Sequence, residues 1–191
     1  MKHRFKLICP NADKLLRGVD KLSTFMRNVD KLSTDPVWIN GNWSPEEYKG
    51  DAFEALVEML VTLSPIDKRI NIVDYRPHNN KVDGKDMGID GYGLSHNGNQ
   101  HTIQVKYRSN TLRELTANED HISNFVSKTR TSPIYRNADM TIFTTAKGLN
   151  QKILQEMYHD DNINILKYKD LCKLVDGNIP FWNAFRAEMG I

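Results

Sequence analysis

Scarcity narrows this chain first. Among 191 residues there are 2 cysteines, Cys9 and Cys172, far apart and in no CxxC pair. Neither a disulfide framework nor a zinc cluster is therefore expected, and both thiols should be reduced. No apolar run approaches the roughly 18–20 residues of a bilayer span. The start, Met1-Lys2-His3-Arg4-Phe5-Lys6, leads only into a short apolar stretch before Pro10. The expectation is a cytoplasmic protein, neither secreted nor membrane-bound. An excess of one charge is also lacking: 26 basic residues face 24 acidic ones, a net charge of +2. Contact with a nucleic acid would have to come from local patches rather than from a polycationic chain. Phosphate loops of the GxxxxGK[ST] or strand–GxGxxG–helix kind are missing, although Gly84, Gly88, Gly91 and Gly93 cluster and imply tight backbone there. There is no GxSxG elbow to support a serine or cysteine triad.

What is present reads as one α/β domain with a helical preface. With 39% hydrophobic and 26% charged residues and a mean hydropathy of −0.56, the chain can bury a core and is not globally disordered. In the first 44 residues, Leu15, Leu16, Val19, Leu22, Phe25, Met26, Val29 and Leu32 recur at helical spacing until Asp35-Pro36 stops the pattern. The short repeat Val19–Thr24 and Val29–Thr34 is too brief for a solenoid unit. We take residues 1–44 as a helical N-terminal extension, a candidate dimerisation element, and 45–191 as the main domain.

Ser44-Pro45-Glu46-Glu47 combines an N-cap serine, a proline at the first helical position and a glutamate placed for a capping box. It predicts a helix from about Pro45 to Leu63 with Phe53, Leu56, Val57, Leu60 and Val61 as its apolar face. Glu47, Asp51, Glu54 and Glu58 line one edge of that face; the plain reading of such a stripe is a solvated flank. Strands are predicted at Ile70–Arg76, Ile89–Leu94 and His101–Tyr107, the last two flanking Asn97-Gly98, a strong hairpin signal. Further on, helices are predicted at Leu112–Ser127, Leu149–Tyr158, Tyr168–Val175 and Phe181–Glu188, with strands at Met140–Thr145 and Ile163–Leu166. The sum is a mixed sheet of about four to five strands flanked by helices.

On the third strand Gln104 and Lys106 share a face opposite the apolar Ile103, Val105 and Tyr107. A strict two-residue Asn97-Gly98 turn would set Asp90 against Val105 and aim it away from them. A three-residue connection, Asn97-Gly98-Asn99, pairs Asp90 with Lys106 and Tyr92 with Gln104. The longer loop, or a bulge near Asp90, is therefore predicted.

Phe53-Glu54-Ala55-Leu56-Val57 on a helix, then Gly88-Ile89-Asp90-Gly91, then Gln104-Val105-Lys106 on a hairpin strand resemble the PD-(D/E)xK nuclease superfamily. They are most similar to its Mrr-like branch and to the nuclease-like domains that accompany phage and plasmid helicases. The resemblance covers about residues 45–150, including Phe143-Thr144-Thr145-Ala146, and not the preface. It implies a restriction-endonuclease-like fold and a Mg²⁺-dependent DNA endonuclease or nickase, with Mn²⁺ as a substitute ion. It further implies an association with helicases or replication proteins of phages or mobile elements. Carried over residue by residue, it makes Asp90, the Gln104 side-chain carbonyl and the Val105 backbone carbonyl metal ligands. Glu54 would add a further carboxylate, with Glu58 in reserve, and Asp86 stands in reserve for Asp90. Lys106 would act on the attacking water and on the charge of the transition state. Arg76, Lys81, Lys85, Tyr107, Arg108, Lys128 and Arg130 flank this site in the sequence and are candidates for tracking DNA phosphates.

Gln104 stands where the superfamily usually carries an acid, and no Pro-Asp pair precedes the hairpin. That favours a second reading, a DNA-binding module that has kept the fold and lost cleavage. His78, His96 and His101 beside asparagines resemble an HNH nuclease only superficially, because that site needs its histidines at specific hairpin and helix positions. His159-Asp160-Asp161 reads as the end of a helix.

Overall fold

The capping signal at Ser44 sets a helix where the sequence predicts one. Ser44 Oγ accepts from the Glu47 N–H at 3.2 Å, and the Glu47 carboxylate accepts from the Ser44 N–H at 2.8 Å. Two of the donors that every helix start leaves unpaired are thus satisfied. The computed structural model describes residues 16–34, 44–63, 72–77, 88–116, 121–153 and 163–190. In chain order they form α1 (Leu22–Ser33), α2 (Pro45–Thr62), β1 (Ile72–Pro77), β2 (Gly91–Ser95), β3 (Gln100–Lys106) and β4 (Glu114–Leu115). Then follow α3 (Ile122–Thr131), β5 (Asp139–Thr144), β6 (Gly148–Leu149), β7 (Ile163–Leu166), α4 (Tyr168–Val175) and α5 (Ile179–Met189).

The main sheet has five strands in the order β1-β2-β3-β5-β7. β1, β2 and β3 pair antiparallel, whereas β3, β5 and β7 run parallel. Side chains alternate across the sheet, so each strand serves two cores. Ile103, Val105 and Tyr107 of β3 and its extension, with Phe143 of β5, pack against α1, α2, α4 and α5. Met140 and Ile142, on the other face, pack with Ile89, Leu115 and the α3 residues Ile122 and Phe125. This is the expected mixed α/β sheet flanked by helices.

The preface helix belongs to the first of these cores. Leu22, Phe25, Met26, Val29 and Leu32 of α1 are at most 4% exposed. Phe25 meets Phe185 edge-on at 5.8 Å between ring centroids. Polar ties add to this: the Leu22 N–H donates to Asp176 Oδ1 at 2.8 Å, and Arg186 donates to the Val19 carbonyl at 2.8 Å. Five buried side chains at about 1.5–3 kcal/mol each amount to about 8–15 kcal/mol, the scale of a domain's whole net stability. α1 is therefore an integral wall of the domain.

Two predicted helices differ from the structure. Residues 112–116 form a turn and then β4, because Leu115 is buried by pairing with β6, with the Lys147 N–H donating to the Arg113 carbonyl at 2.9 Å. The helix of this region begins only at Ile122. Likewise Leu149 lies in β6, and a helical turn starts after Asn150, whose Oδ1 accepts from the Ile153 N–H at 3.0 Å; residues 154–158 of that prediction lie outside the described ones. Cys172 is a half-buried free thiol whose pKa burial pushes up. Cys9 lies outside the described residues. Among the described residues no helix is long and apolar enough to cross a membrane.

Candidate active site

The hairpin turn decides which residues face one another. The Gly98 N–H donates to the Ser95 carbonyl and the Ser95 N–H to the Asn99 carbonyl, both at 2.8 Å, so the loop is His96-Asn97-Gly98. Gly98 closes it at φ 84°, a conformation that costs glycine nothing. Three residues are what the sequence predicts, but the loop sits one residue earlier. The register is Gly91↔Ile103 and Tyr92↔Thr102. Asp90 therefore stands level with Gln104 instead of Lys106, and Tyr92 faces Thr102 instead of Gln104. A shift of this size preserves the faces, so Asp90 stays on the side of Gln104 and Lys106.

Asp90 sits at the point where β2 begins and β3 ends. Its N–H donates to the Ile103 carbonyl at 2.8 Å, and its Oδ2 accepts from the Val105 N–H at 2.6 Å. The N–H and C=O of one strand residue project to the same neighbouring strand. The Val105 carbonyl thus opens toward the same edge, beyond the first residue of β2. Gln104 is 0% exposed, and neither its Oε1 nor its Nε2 finds a hydrogen-bond partner among the described residues. A buried amide in that state costs about 1–3 kcal/mol, so something other than stability explains a glutamine here. Lys106, two residues on, is half-buried. Its carbonyl accepts from Thr144 Oγ1 at 2.8 Å and from the Thr145 N–H at 3.3 Å. Thr145 Oγ1 in turn accepts from the Arg108 N–H at 2.6 Å and donates to the Arg108 carbonyl at 2.8 Å. The two threonines clamp the exit of β3 and hold Lys106 in place, a positioning role that their sequence pattern alone did not disclose.

The acidic stripe of α2 is graded in burial. Glu47 is exposed, Asp51 and Glu54 are half-buried, and Glu58 is 7% exposed. α2 covers the Ile103/Val105 face, where Tyr75 packs against the same core. The Tyr75 phenol is pushed far above its ordinary pKa, first by burial and then by the carboxylates of Glu58, Glu54 and Asp90 in that order. It therefore stays protonated and neutral. Tyr75 reaches this position through a bulge in β1, where the pairing shifts between Val73 and Arg76 and Asp74 has φ 53°. Gly91 makes room for it: a Cβ there would lie 2.7 Å from Tyr75 Cζ. The packing of Tyr75 on Gly91 is a long-range contact that no local spacing in the sequence reveals. Only the short Gly88–Gly93 run of glycines hints at the close approach.

The candidate DNA contacts divide. Arg76 is exposed, and Arg108 and Lys128 are half-buried at the surface. Arg130 donates to the Arg136 and Ala138 carbonyls at 3.0 and 2.9 Å and so braces the turn before β5. Tyr107 corrects its prediction. It is 8% exposed, packs on Phe53 with ring centroids 6.0 Å apart, and donates its hydroxyl to Asp30 at 3.0 Å. Burial and that bond make it a core residue rather than a DNA contact. Lys81, Lys85, Asp86, His78 and the His159 loop lie outside the described residues.

His101 lies at the opposite end of the sheet in a separate polar network. Ser95 Oγ donates to Asp139 Oδ2 at 2.6 Å, which leaves it to accept from His101 Nδ1 at 3.0 Å; Nε2 then accepts from Thr141 Oγ1 at 2.8 Å. The serine proton points at the aspartate and not at the imidazole, the reverse of a nucleophile–base pair. This histidine is structural.

Among the described residues no three His, Cys, Asp or Glu side chains are grouped to hold a metal ion. A hard divalent cation also takes neutral oxygens. The partnerless Gln104 amide beside Asp90 and the outward Val105 carbonyl form a donor set of that kind, with one carboxylate at its centre. The residues present therefore fit such an ion.

Over residues 68–186, more than half of the chain, the sequence matches the family model for a restriction endonuclease catalytic domain of the Mrr type. The match covers Asp90, Gln104, Lys106 and both clamping threonines and starts after α2, so Glu54 and Glu58 lie outside it. No curated protein and no solved structure matches the chain.

Proposed function

Since this chain belongs to the Mrr-type restriction endonuclease family, we propose that it is a Mg²⁺-dependent DNA endonuclease or nickase, with Asp90, Gln104 and Lys106 as its working residues. Mn²⁺ is the expected substitute ion. The observation that carries this reading is the buried, partnerless Gln104 amide level with Asp90, whose carboxylate is already oriented by the Val105 N–H. Asp90, the Gln104 Oε1 and the Val105 carbonyl would hold the ion. When bound, such an ion polarises the phosphate and lowers the pKa of an attacking water. Lys106 Nζ orients that water and offsets the charge that builds on the phosphoryl oxygens. Asp90 keeps its geometry through the bond to Val105, and the threonine clamp keeps Lys106 from swinging away. Glu54, with Glu58 in reserve, would supply a further carboxylate from α2. The setting that resemblance supports is a replication or interference system of a phage or mobile element, with a helicase or replication protein as a companion.

The test uses supercoiled plasmid and labelled linear and single-stranded DNA, with wild type and Lys106→Ala, in Mg²⁺, Mn²⁺ or EDTA. We expect metal-dependent nicking or cutting that falls at least about 100-fold in Lys106→Ala, while DNA binding persists. The neutral Gln104, and the lack of a three-acid group among the described residues, favour one other reading, a DNA-binding module without cleavage. Tight binding by wild type with no product on any substrate would establish that reading instead.

A further inference from the structure

Between α1 and the exit of β3 lies a groove of about 540 Å³. Its exposed wall carries Arg27 and Lys31, one turn apart on α1, with the hydroxyls of Ser23, Thr34 and Thr111 around them. Asp30, the one acid among the described lining residues, is turned to internal use: Oδ1 accepts from Ser109 Oγ at 2.8 Å and from Tyr107 Oη at 3.0 Å, and pairs with Lys49 at 3.7 Å. What faces solvent is therefore cationic, with the Ser23 and Thr111 hydroxyls beside it, since Thr34 Oγ1 donates to the Lys31 carbonyl at 3.1 Å; the whole chain has a net charge of only +2. Tyr168 and Met26 give the groove an apolar floor.

We propose that this groove binds the phosphate backbone of the DNA substrate, with Arg27 and Lys31 of α1 each neutralising one phosphate. The inference rests on the reading of the chain as a DNA nuclease and adds to it two cations of α1, Arg27 and Lys31, that lie outside the family-matched segment. Position supports it. Ser109 in the groove wall follows Lys106 by three residues, so the two Cα atoms are at most about 11 Å apart. Lys106 and the groove share the C-terminal end of β3, Lys106 on the face of Gln104 and the groove on the face that α1 covers, so a strand that rounds this end of the sheet meets both. Arginine, lysine and hydroxyl side chains are the groups that contact phosphates, and such contacts set orientation rather than sequence. The preface thereby gains a purpose beyond completing the core: its buried face holds the fold and its exposed face holds the substrate.

The test is the salt dependence of binding to a labelled duplex, followed by fluorescence anisotropy in Ca²⁺ or EDTA from 50 to 300 mM salt. Wild type is compared with Arg27→Gln/Lys31→Gln and with a charge-matched control, Lys152→Gln/Lys173→Gln, at exposed positions that do not line the groove. Two lost phosphate contacts should lower the slope of log K against log salt by about 1.8 and weaken binding about 60-fold at 0.1 M salt. The control should keep the wild-type slope. Equal slopes for wild type and the α1 variant would overturn the groove and leave the nuclease reading standing. So would equal losses in both variants, which would mean a diffuse charge effect. A wild-type protein that binds no DNA would overturn both readings at once. Circular dichroism melts check that the α1 variant is folded, and because both residues are on the exposed face, no loss of helix is expected.

Discussion

Lowering the pH from 7 to 5 should cost this protein about 2 kcal/mol at a single residue, His101. Its imidazole is 3% exposed, and its pKa is pushed down to about 4, first by burial, with the Asp139 carboxylate pulling weakly the other way. In the unfolded chain it returns to 6.5. The folded pKa is the lower one, so the unfolded state takes up the proton first. Stability is complete above pH 6.5, falls as the pH drops toward 4, and levels off below that. At 1.36 kcal/mol per unit the full loss is about 3 kcal/mol, of which about 2 kcal/mol has gone by pH 5. Hydrogen bonding supports the neutral form: Ser95 commits its proton to Asp139, so His101 carries hydrogen on Nδ1 and accepts on Nε2 from Thr141. The assay is urea unfolding at pH 7 and pH 5 for wild type and His101→Gln, which cancels the other 5 histidines of the 6 in the chain. Wild type should lose about 2 kcal/mol more than the variant over that interval. An equal loss in both, or an NMR titration of the His101 ring centred near pH 6, would refute the reasoning.

Two further outcomes follow from the site. Gln104→Leu removes a buried amide that makes no bond, so in metal-free buffer the variant should be at least as stable as wild type, with a gain of up to about 1–3 kcal/mol. At about 2–4 °C per kcal/mol for a chain of this size, calorimetry would see that gain, while cleavage should disappear. A melting point well below wild type would mean that the amide is structurally engaged. Gly91→Ala places a methyl against the Tyr75 ring and should cost about 1–3 kcal/mol by overpacking. Adding Tyr75→Ala should recover part of that loss in a double-mutant cycle. A neutral Gly91→Ala would show that the ring is not held there.

Local signals were legible where the chain's nearest neighbours settle the energy. The Ser44–Glu47 capping box, α2, α4 and the alternation on β3 depend on residues within one or two turns of each other, and they stand where the pattern predicted them. The helix predicted from Leu112 failed for the opposite reason: Leu115 is buried by a strand more than thirty residues away, which no local spacing reveals. Tyr107 likewise looks like a surface aromatic until the preface, far back in the chain, supplies Asp30 and Met26 as its partners.

The sequence by itself determined the fold class, the two faces of β3 and the order Asp90, Gln104, Lys106, because alternation and caps are short-range and a family motif is a string. Only the tertiary structure decided register, burial and sharing. A one-residue change in where the hairpin turns put Asp90 level with Gln104. A bulge in β1 brought Tyr75 against Gly91. The packing of α1 onto α5 left its charged face beside the exit of β3. Each of these depends on contacts between segments distant in the chain, whose energies no window of residues contains.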